Sequence, residues 1–333
     1  MTSRAAPLTA AEHLVIDDLS VELTRKGKTV ELLRNVSLDV AQGRVFGLIG
    51  ESGSGKTMTC RAVVGGLPAG AVVSTGEISI GDSIVRRARG RVDRTAALRA
   101  AMGFADPHAS LDPLQQIGDQ IAEMLRVHQG LRRRAAKREV VRLLEEVRLP
   151  DPERVCRQYP FQLSGGMAQR AMIATVLGAK PDFLLADEPT SALDSTLQQD
   201  ILDLLLRLVH EEGVGILLTT HDMGVVANTC DEIAVMYAGQ IIETGPSRDV
   251  LGDPQHPYTR MLMQARPRGT RTHRLAAIPG EPPVPGEPLP ACAFQPRCPW
   301  AEDICVDTKP PIVAHGSSVA LCHFAGQLAE LSV

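Results

Sequence analysis

The chain has 333 residues, of which 44% are hydrophobic, so it can form a packed core and is not disordered throughout. Its formal net charge of −4 gives no overall attraction to nucleic acid, and we expect no nucleic-acid partner. Residues 1–13 lack the apolar run of a signal peptide, and no apolar stretch is long enough to span a bilayer. The sequence therefore predicts a protein made in the cytoplasm, either free or bound to a membrane surface.

The first half of the chain begins with strand-like sequence. Residues 13–49 alternate between apolar and polar side chains, which predicts β-strands, and the last strand, 44–49, leads directly into a glycine-rich turn. Helical sequence is predicted from Lys56 onward, and again over 114–127 and 135–148.

Two short apolar runs follow, at 183–186 and 214–219, and they predict strands buried on both faces, as in a parallel sheet. Between them, apolar residues at helical spacing from Leu197 to Leu208 predict a helix with one apolar stripe. Strands that alternate with helices predict an α/β domain ending near residue 250. Prolines then crowd residues 279–299, which predicts an irregular extension without a helix or a central strand.

A glycine-rich segment lies between a predicted strand and a predicted helix. It matches a phosphate-binding pattern, and its residues, here called the phosphate loop, are Gly50, Glu51, Ser52, Gly53, Ser54, Gly55, Lys56 and Thr57. Its glycines let backbone N–H groups wrap phosphate groups, and the following helix N-terminus adds a favourable dipole. Lys56 would neutralise charge on the β- and γ-phosphates, and Thr57 would bind Mg²⁺.

Two carboxylates, Asp187 and Glu188, end a buried strand, and parallel sheets place their ligands at that edge. Asp187 would hold Mg²⁺ through water, and Glu188 would polarise the attacking water. His221 ends the next buried strand, where it could contact the γ-phosphate or orient Glu188 and the water. The predicted catalytic residues are therefore Glu188 and His221.

A further motif places small residues at the start of a helix, whose free N–H groups could hold an anion. This signature motif consists of Leu163, Ser164, Gly165, Gly166 and Met167. Together these motifs resemble the ABC ATPases, and the resemblance covers residues 13–250. It implies ATP and Mg²⁺ as cofactors and a P-loop NTPase fold with a mixed β-sheet core, an antiparallel β subdomain and a helical subdomain at about 95–178. It also implies that the signature motif of one subunit closes over ATP on the phosphate loop of its partner. The implied subunit-contact loop is Ser191, Ala192, Leu193 and Asp194.

The C-terminal extension, 251–333, carries motifs that resemble those of ATPases from oligopeptide and dipeptide importers. These are His256-Pro257-Tyr258-Thr259, a proline-rich run at 278–283, Pro296-Arg297-Cys298-Pro299 and Ala320-Leu321-Cys322-His323. The resemblance implies a peripheral subunit at the cytoplasmic face of the cell membrane that hydrolyses ATP to drive solute import. Its implied partners are two transmembrane permease subunits and, indirectly, an extracytoplasmic solute-binding protein. A soluble ABC ATPase without a transport role and a regulatory iron–sulfur subunit with weak ATPase activity are the alternatives.

Four cysteines lie in the extension, namely Cys292, Cys298, Cys305 and Cys322. A metal centre can fold a segment that buries little apolar surface, and four thiolates suit Zn²⁺ or an iron–sulfur cluster. The spacings lack the close cysteine pairs common in structural zinc sites, and the family resemblance implies a [4Fe–4S] cluster. The cluster is therefore the preferred interpretation and zinc the alternative.

The chain departs from the family pattern at Ala105, where the family has a glutamine that reaches Mg²⁺, the attacking water and the membrane subunit. Alanine cannot make these contacts, so we expect slow ATP turnover at this chain's own phosphate loop and a paralogous ATPase as its partner. Replacement of the missing group by Gln115 or Gln116 is the less favoured alternative. The family also stacks adenine on an aromatic residue upstream of the phosphate loop, where Val30 would offer only apolar contact.

Overall fold

The computed structural model describes residues 12–103, 106–191, 193–265 and 278–328. Its strands are β1 His13–Arg25, β2 Lys28–Ala41, β3 Val45–Ile49, β4 Ala71–Ile80, β5 Ser83–Arg87, β6 Ala100–Gly103, β7 Phe183–Asp187, β8 Gly215–Thr220, β9 Glu232–Tyr237, β10 Gln240–Pro246, β11 Ile312–His315 and β12 Ser318–Leu321. Its α-helices are α1 Lys56–Val63, α2 Arg94–Ala97, α3 Pro107–Ser110, α4 Ile117–Gln129, α5 Arg133–Glu146, α6 Pro152–Val155, α7 Gly165–Leu177, α8 Ser195–Glu212, α9 Met223–Thr229, α10 Ser247–Gly252, α11 Pro257–Gln264 and α12 Ile304–Asp307. Short 3₁₀ turns lie at Pro160–Gln162 and Gln295–Arg297.

The larger sheet of the described residues has eight strands in the order β11-β12-β10-β9-β3-β8-β7-β6. Strands β9, β3, β8, β7 and β6 are parallel, while β10, β12 and β11 continue the sheet as antiparallel neighbours. The mixed core sheet predicted by the family resemblance is therefore confirmed. Strands β3, β7 and β8 are buried along their whole length, as their apolar runs predict.

The smaller sheet is antiparallel, with strand order β2-β1-β4-β5, and confirms the predicted β subdomain. Successive side chains of a strand point to opposite faces of the sheet, so each core strand packs in two directions. Phe46 and Phe183 pack in the core that contains the smaller sheet, whereas Val45 and Leu184 pack in the core formed with the helices. The parallel strands thus lie between these two layers.

Helices α4, α5 and α7 pack together within the range predicted for the helical subdomain. Helix α4 buries Ile117, Ile121 and Leu125, which recur every four residues along one face. It begins three residues later than predicted, because the Asp112 side chain accepts the N–H of Leu114 at 2.9 Å and forms a local turn there.

The C-terminal extension is partly regular, and here the prediction needs a correction. The proline-rich stretch has neither α-helix nor strand, as expected, but β11 and β12 form a hairpin that pairs with β10. The extension also enters the main core, since Tyr258 and Phe294 pack on Tyr237 with ring centroids 4.8 and 5.2 Å from its centroid. Apolar burial therefore orders the start of the extension, and the expectation that it buries little apolar surface is wrong there.

The predicted domain boundary at residue 250 lies within α10. The extension and the rest of the chain share one sheet and one core on either side of this position. No helix in the described part of the chain is long and apolar enough to cross a bilayer.

Candidate nucleotide-binding site

The phosphate loop connects β3 to α1, as the sequence predicts. Its glycines are needed where the chain passes close to its neighbours. A Cβ atom at Gly50 would lie 2.2 Å from the carbonyl oxygen of Met236, and one at Gly55 would lie 2.9 Å from a methyl group of Leu33. Gly55 also has a φ of 116°, which disfavours other residues. The phosphate loop therefore packs closely against β2 and β9, and its last residues form the start of helix α1.

The Lys56 side chain curls back onto its own loop. Its ammonium group donates to the carbonyl oxygens of Gly50 and Glu51 at 2.7 and 3.0 Å, and it lies 3.7 Å from Oε1 of Glu188. Burial lowers the pKa of Lys56, while the nearby carboxylates of Glu188 and Asp187 oppose this shift. A positive charge is therefore available inside the loop for a phosphate group.

Thr57 and Asp187 meet at the edge of the sheet, although 130 residues separate them. The Thr57 hydroxyl donates to Asp187 at 2.9 Å, and the Thr219 hydroxyl donates to the other carboxylate oxygen at 2.6 Å. Asp187 ends β7 and Thr219 lies on the parallel neighbour β8, so the sheet itself brings these oxygen atoms together. A carboxylate and a hydroxyl are hard oxygen donors that suit Mg²⁺.

Glu188 lies between Lys56 and His221. One of its carboxylate oxygens is 3.7 Å from the Lys56 ammonium nitrogen, and the other is 3.1 Å from Nδ1 of His221. The Glu188 backbone has a φ of 47°, and its N–H donates to the carbonyl oxygen of Thr219 at 3.0 Å. This arrangement holds the carboxylate at the mouth of the phosphate loop. The exposed ring of His221 remains accessible to a ligand.

The signature motif forms the start of α7. Ser164 is the N-cap residue, and its hydroxyl accepts the N–H of Met167 at 3.4 Å. Ser164 and Gly165 are exposed, while Leu163 is buried. A Cβ atom at Gly166 would lie 2.8 Å from a methyl group of Leu197, so glycine allows α7 to approach α8 closely. The motif thus presents a helix N-terminus to solvent.

The loop after Glu188 leads into α8. The Ser191 hydroxyl donates to the Glu188 carbonyl at 3.2 Å, and the Asp194 side chain accepts the N–H groups of Thr196 and Leu197 as N-cap residue. Leu193 packs against the main core. Of the predicted contact loop, Ala192 lies outside the described residues. Ala105 also lies outside them, so its predicted effect stays a prediction.

Some residues beside the phosphate loop were not expected from the sequence. Pro285 of the extension lines the pocket at the loop together with Leu32 and Met58. Arg297, also in the extension, forms an ion pair with Glu51 of the loop, and the N–H of Glu51 donates to the Tyr258 hydroxyl. These contacts join positions more than 200 residues apart, and no periodicity or local spacing could have indicated them.

The four cysteines of the extension do not form a ready ligand set. Throughout the described residues, no group of three or more His, Cys, Asp or Glu side chains is arranged to hold a metal ion. Burial raises the pKa of Cys298 to about 12, and the three other cysteines of the set contribute to the same shift, so all four lie in one region. Backbone N–H groups point to the sulfur atoms of Cys292, Cys298 and Cys322. The described residues therefore bring the four thiols into one region without forming the predicted metal centre.

Comparisons with known proteins agree with this geometry. Residues 33–191 match the ABC transporter family, and residues 242–305 match the family described as oligopeptide/dipeptide transporter, C-terminal region. The dipeptide transport ATP-binding protein DppD of Bacillus subtilis is 40% identical over 326 residues, covering 96% of this chain and 97% of that protein. The oligopeptide transport ATP-binding protein OppD of Salmonella typhimurium is 38% identical over 314 residues, covering 94% and 93%.

Among solved structures, the dimeric bacterial ABC transporter cassette MJ0796 matches with a TM-score of 0.61 and 26% identity, over 71% of this chain and 99% of that one. The fold and the site thus define an ATPase of the ABC class. More narrowly, the chain belongs to the family of oligopeptide and dipeptide importer ATP-binding subunits, which confirms the resemblance seen in its motifs.

Proposed function

We propose that this chain is the ATP-hydrolysing subunit of a bacterial importer of oligopeptides, dipeptides or similar solutes. The proposal rests on the presence of two features in the same chain. A phosphate loop is in contact with Asp187 and Glu188, and it is joined to an extension that matches the C-terminal region of this importer class over residues 242–305. The transport functions in the names of the two relatives support the same solute class.

The residue roles follow from the contacts at the loop. The Lys56 ammonium group would exchange a backbone carbonyl for a phosphate oxygen, because the loop carbonyls already hold it where phosphate binds. Thr57 and Asp187 would hold Mg²⁺, which when bound neutralises charge on the phosphates. Glu188 would polarise the attacking water, and the contact at 3.1 Å lets His221 fix the orientation of this carboxylate.

Closure would involve two subunits. We propose that the exposed N-terminus of α7, with Ser164 and Gly166, closes over the ATP held by the partner's phosphate loop, since free helix N–H groups and the helix dipole favour an anion there. The loop of Ser191 to Asp194 would then lie at the subunit contact. This role is supported by the hydrogen bond from the Ser191 hydroxyl to the Glu188 carbonyl oxygen, which would link the subunit contact to the catalytic residue.

The partners would be those of a membrane transporter. Two transmembrane permease subunits would bind this chain at the cytoplasmic face of the cell membrane, and a solute-binding protein would act from outside. We also propose a paralogous ATPase as the second nucleotide-binding subunit. This proposal rests on Ala105, which cannot replace the glutamine side chain of the family pattern at this chain's own site.

We further propose that Cys292, Cys298, Cys305 and Cys322 hold a metal centre, with a [4Fe–4S] cluster favoured over zinc. The residue types fit, because four thiolates bind either metal, and N–H groups directed at three of the sulfurs would stabilise their charge. The four thiols would have to move closer to one another when the metal binds, because no set of the described side chains is already arranged to hold a metal ion. The role of such a centre would be structural.

An ATPase assay tests the function directly. The purified chain should hydrolyse ATP slowly by itself, and faster when the permease subunits and a solute-loaded binding protein are present in lipid vesicles. A rate that is insensitive to the permease subunits would favour a soluble ABC ATPase. A slow rate that changes only with the redox state of the protein would favour an iron–sulfur regulatory subunit.

A further inference from the structure

The second residue of the phosphate loop, Glu51, is held by the C-terminal extension at both its side chain and its backbone. Two guanidinium nitrogens of Arg297 donate to the two carboxylate oxygens of Glu51 at 2.7 and 3.1 Å. The backbone N–H of Glu51 donates to the Tyr258 hydroxyl at 2.9 Å. A paired, planar contact of this kind fixes direction as well as charge.

Arg297 itself has little freedom to move. Its side chain is 4% exposed, and its Nε donates to the carbonyl oxygen of Pro279 at 2.9 Å. The guanidinium carbon lies 5.7 Å from the ring centroid of Tyr237 and 6.0 Å from that of Phe294, within the range of cation–π attraction. A buried positive charge needs its carboxylate partner, so Glu51 and Arg297 depend on each other.

The extension also reaches the nucleotide pocket at a second point. Pro285 lines the pocket at the phosphate loop. A Cβ atom on the next residue, Gly286, would lie 3.0 Å from a methyl group of Val30, so the backbone of the extension passes closely over this residue. Pro285 and Gly286 therefore place the extension against the pocket at the phosphate loop and against Val30.

The position of Glu51 makes this contact relevant to ATP. The carbonyl oxygens of Glu51 and Gly50 both hold the Lys56 ammonium group. An unpaired Glu51 carboxylate would add negative charge to a loop that must hold a polyphosphate, and like charges repel each other. Pairing with Arg297 removes this repulsion and fixes the backbone that carries Lys56.

We propose that Arg297, assisted by Tyr258, is a positioning residue for the phosphate loop, and that the C-terminal extension thereby sets the ATP affinity of this site. The alternative is that the ion pair only attaches the extension to the rest of the chain. The two differ in what happens when Glu51 loses its charge. If Arg297 acts by neutralising Glu51, then removing that charge rescues an Arg297 variant. If the pair is only an attachment, the rescue does not occur.

The test uses the full chain and measures the Kd of a fluorescent ATP analogue together with KM and kcat for ATP. Arg297→Ala should raise Kd and KM roughly 10- to 100-fold while kcat changes less, because it leaves the Glu51 carboxylate without its charged hydrogen bonds beside the bound phosphates. Arg297→Lys should retain part of the affinity. The double variant Glu51→Gln/Arg297→Ala should bind ATP at least about threefold more tightly than Arg297→Ala and within about threefold of Glu51→Gln alone.

Arg260→Ala is the matched control. The Arg260 guanidinium lies over the Trp300 ring at 5.6 Å and donates to the Leu328 carbonyl, so it joins parts of the extension without touching the loop. Its ATP affinity should equal that of the wild type. If Arg297→Ala does not fold, Arg297→Lys and Tyr258→Phe are tested instead, and both should bind ATP with a higher Kd than the wild type. The proposal is overturned if the Arg297 variants bind ATP like the control, or if the double variant binds as weakly as Arg297→Ala.

Discussion

Among single residues, Glu188 connects the phosphate-binding lysine to the histidine at the edge of the sheet. Its backbone is fixed by Thr219, and its two carboxylate oxygens face Lys56 and His221. The same lysine is held by two carbonyl oxygens of its own loop. Binding and hydrolysis can therefore be separated by changing one side chain at a time.

Lys56→Ala should weaken ATP binding roughly 10- to 100-fold, because it removes charge-assisted contacts to phosphate.

Glu188→Gln should leave ATP affinity within about threefold of the wild type and lower the hydrolysis rate at least roughly hundredfold, since the amide cannot polarise water as a base. Nucleotide binding and phosphate release measure the two effects. Glu211→Gln, an exposed change of the same kind on α8, is the control. Hydrolysis by Glu188→Gln at the wild-type rate would exclude Glu188 from this role.

Glu243 predicts a pH dependence of stability. It is 1% exposed and accepts the N–H groups of Gln255 and His256 at 2.7 and 3.0 Å. Burial raises its pKa from 4.5 to about 7, so the folded chain holds this proton more tightly than the unfolded chain. The free energy of unfolding that protonated Glu243 contributes is therefore fully present below about pH 4.5, and it is lost as the pH rises through about 7.

Glu243→Gln removes this titration. Between about pH 5 and pH 8 the wild type should lose up to about 3 kcal/mol of unfolding free energy relative to this variant. Urea unfolding of both proteins at the two pH values measures the difference. Parallel pH profiles would show that Glu243 ionises in the folded protein as it does in the unfolded chain.

Among the helices and strands, those with a strong pattern could be predicted from the sequence. Strands β3, β7 and β8 are short apolar runs because both of their faces are buried. The hairpin of β11 and β12 was missed because β11 is an edge strand with little burial. Its Ile312 is 76% exposed, so no alternation marks it.

The candidate site likewise contains some contacts that could be predicted from the sequence and others that could not. The meeting of Thr57 with Asp187 could be predicted, since the ends of neighbouring parallel strands and the loops after them share one edge. The pairing of Arg297 with Glu51 could not, because it depends on where an irregular, proline-rich segment returns to the core. Sequence patterns report local periodicity, and this segment has none.

The cysteines of the extension provide a test at the level of this segment. Anaerobically purified protein should be brown and contain about four irons per chain if the cluster is present. Cys298→Ser should lose the metal and make the extension sensitive to protease while the nucleotide domain stays folded. Cys156→Ser, outside the extension, is the control. One zinc per chain would overturn the iron assignment alone, and protein without either metal would overturn the metal centre.

At the scale of the whole molecule, the described residues form one continuous structure, because the extension shares a sheet and a core with the rest of the chain. Strand β10 joins the parallel core to the hairpin of the extension, and the extension then borders the phosphate loop through Pro285 and Arg297. On the proposed closure of two subunits, the nucleotide at this chain's phosphate loop would lie between the core and extension of this chain and the signature motif of its partner.

The asymmetric assembly makes a separate prediction. Glu188→Gln in this chain should reduce transport less than the matching change in a paralogous partner, because we expect Ala105 to slow ATP turnover at this chain's own site. Solute uptake by vesicles that contain each variant in turn measures the two losses. Equal losses, or full transport by a homodimer of this chain, would reject the asymmetry and leave the ATPase assignment intact.

The most direct measurement of the proposed function is ATP-driven uptake of labelled dipeptides and oligopeptides by vesicles that contain the permease subunits, the solute-binding protein and both ATPase subunits. Uptake should require both ATP and this chain, and Ser164→Arg at the exposed start of α7 should abolish it, because a large side chain would block closure over the partner's nucleotide. Uptake that continues at the same rate when this chain is omitted would contradict the account.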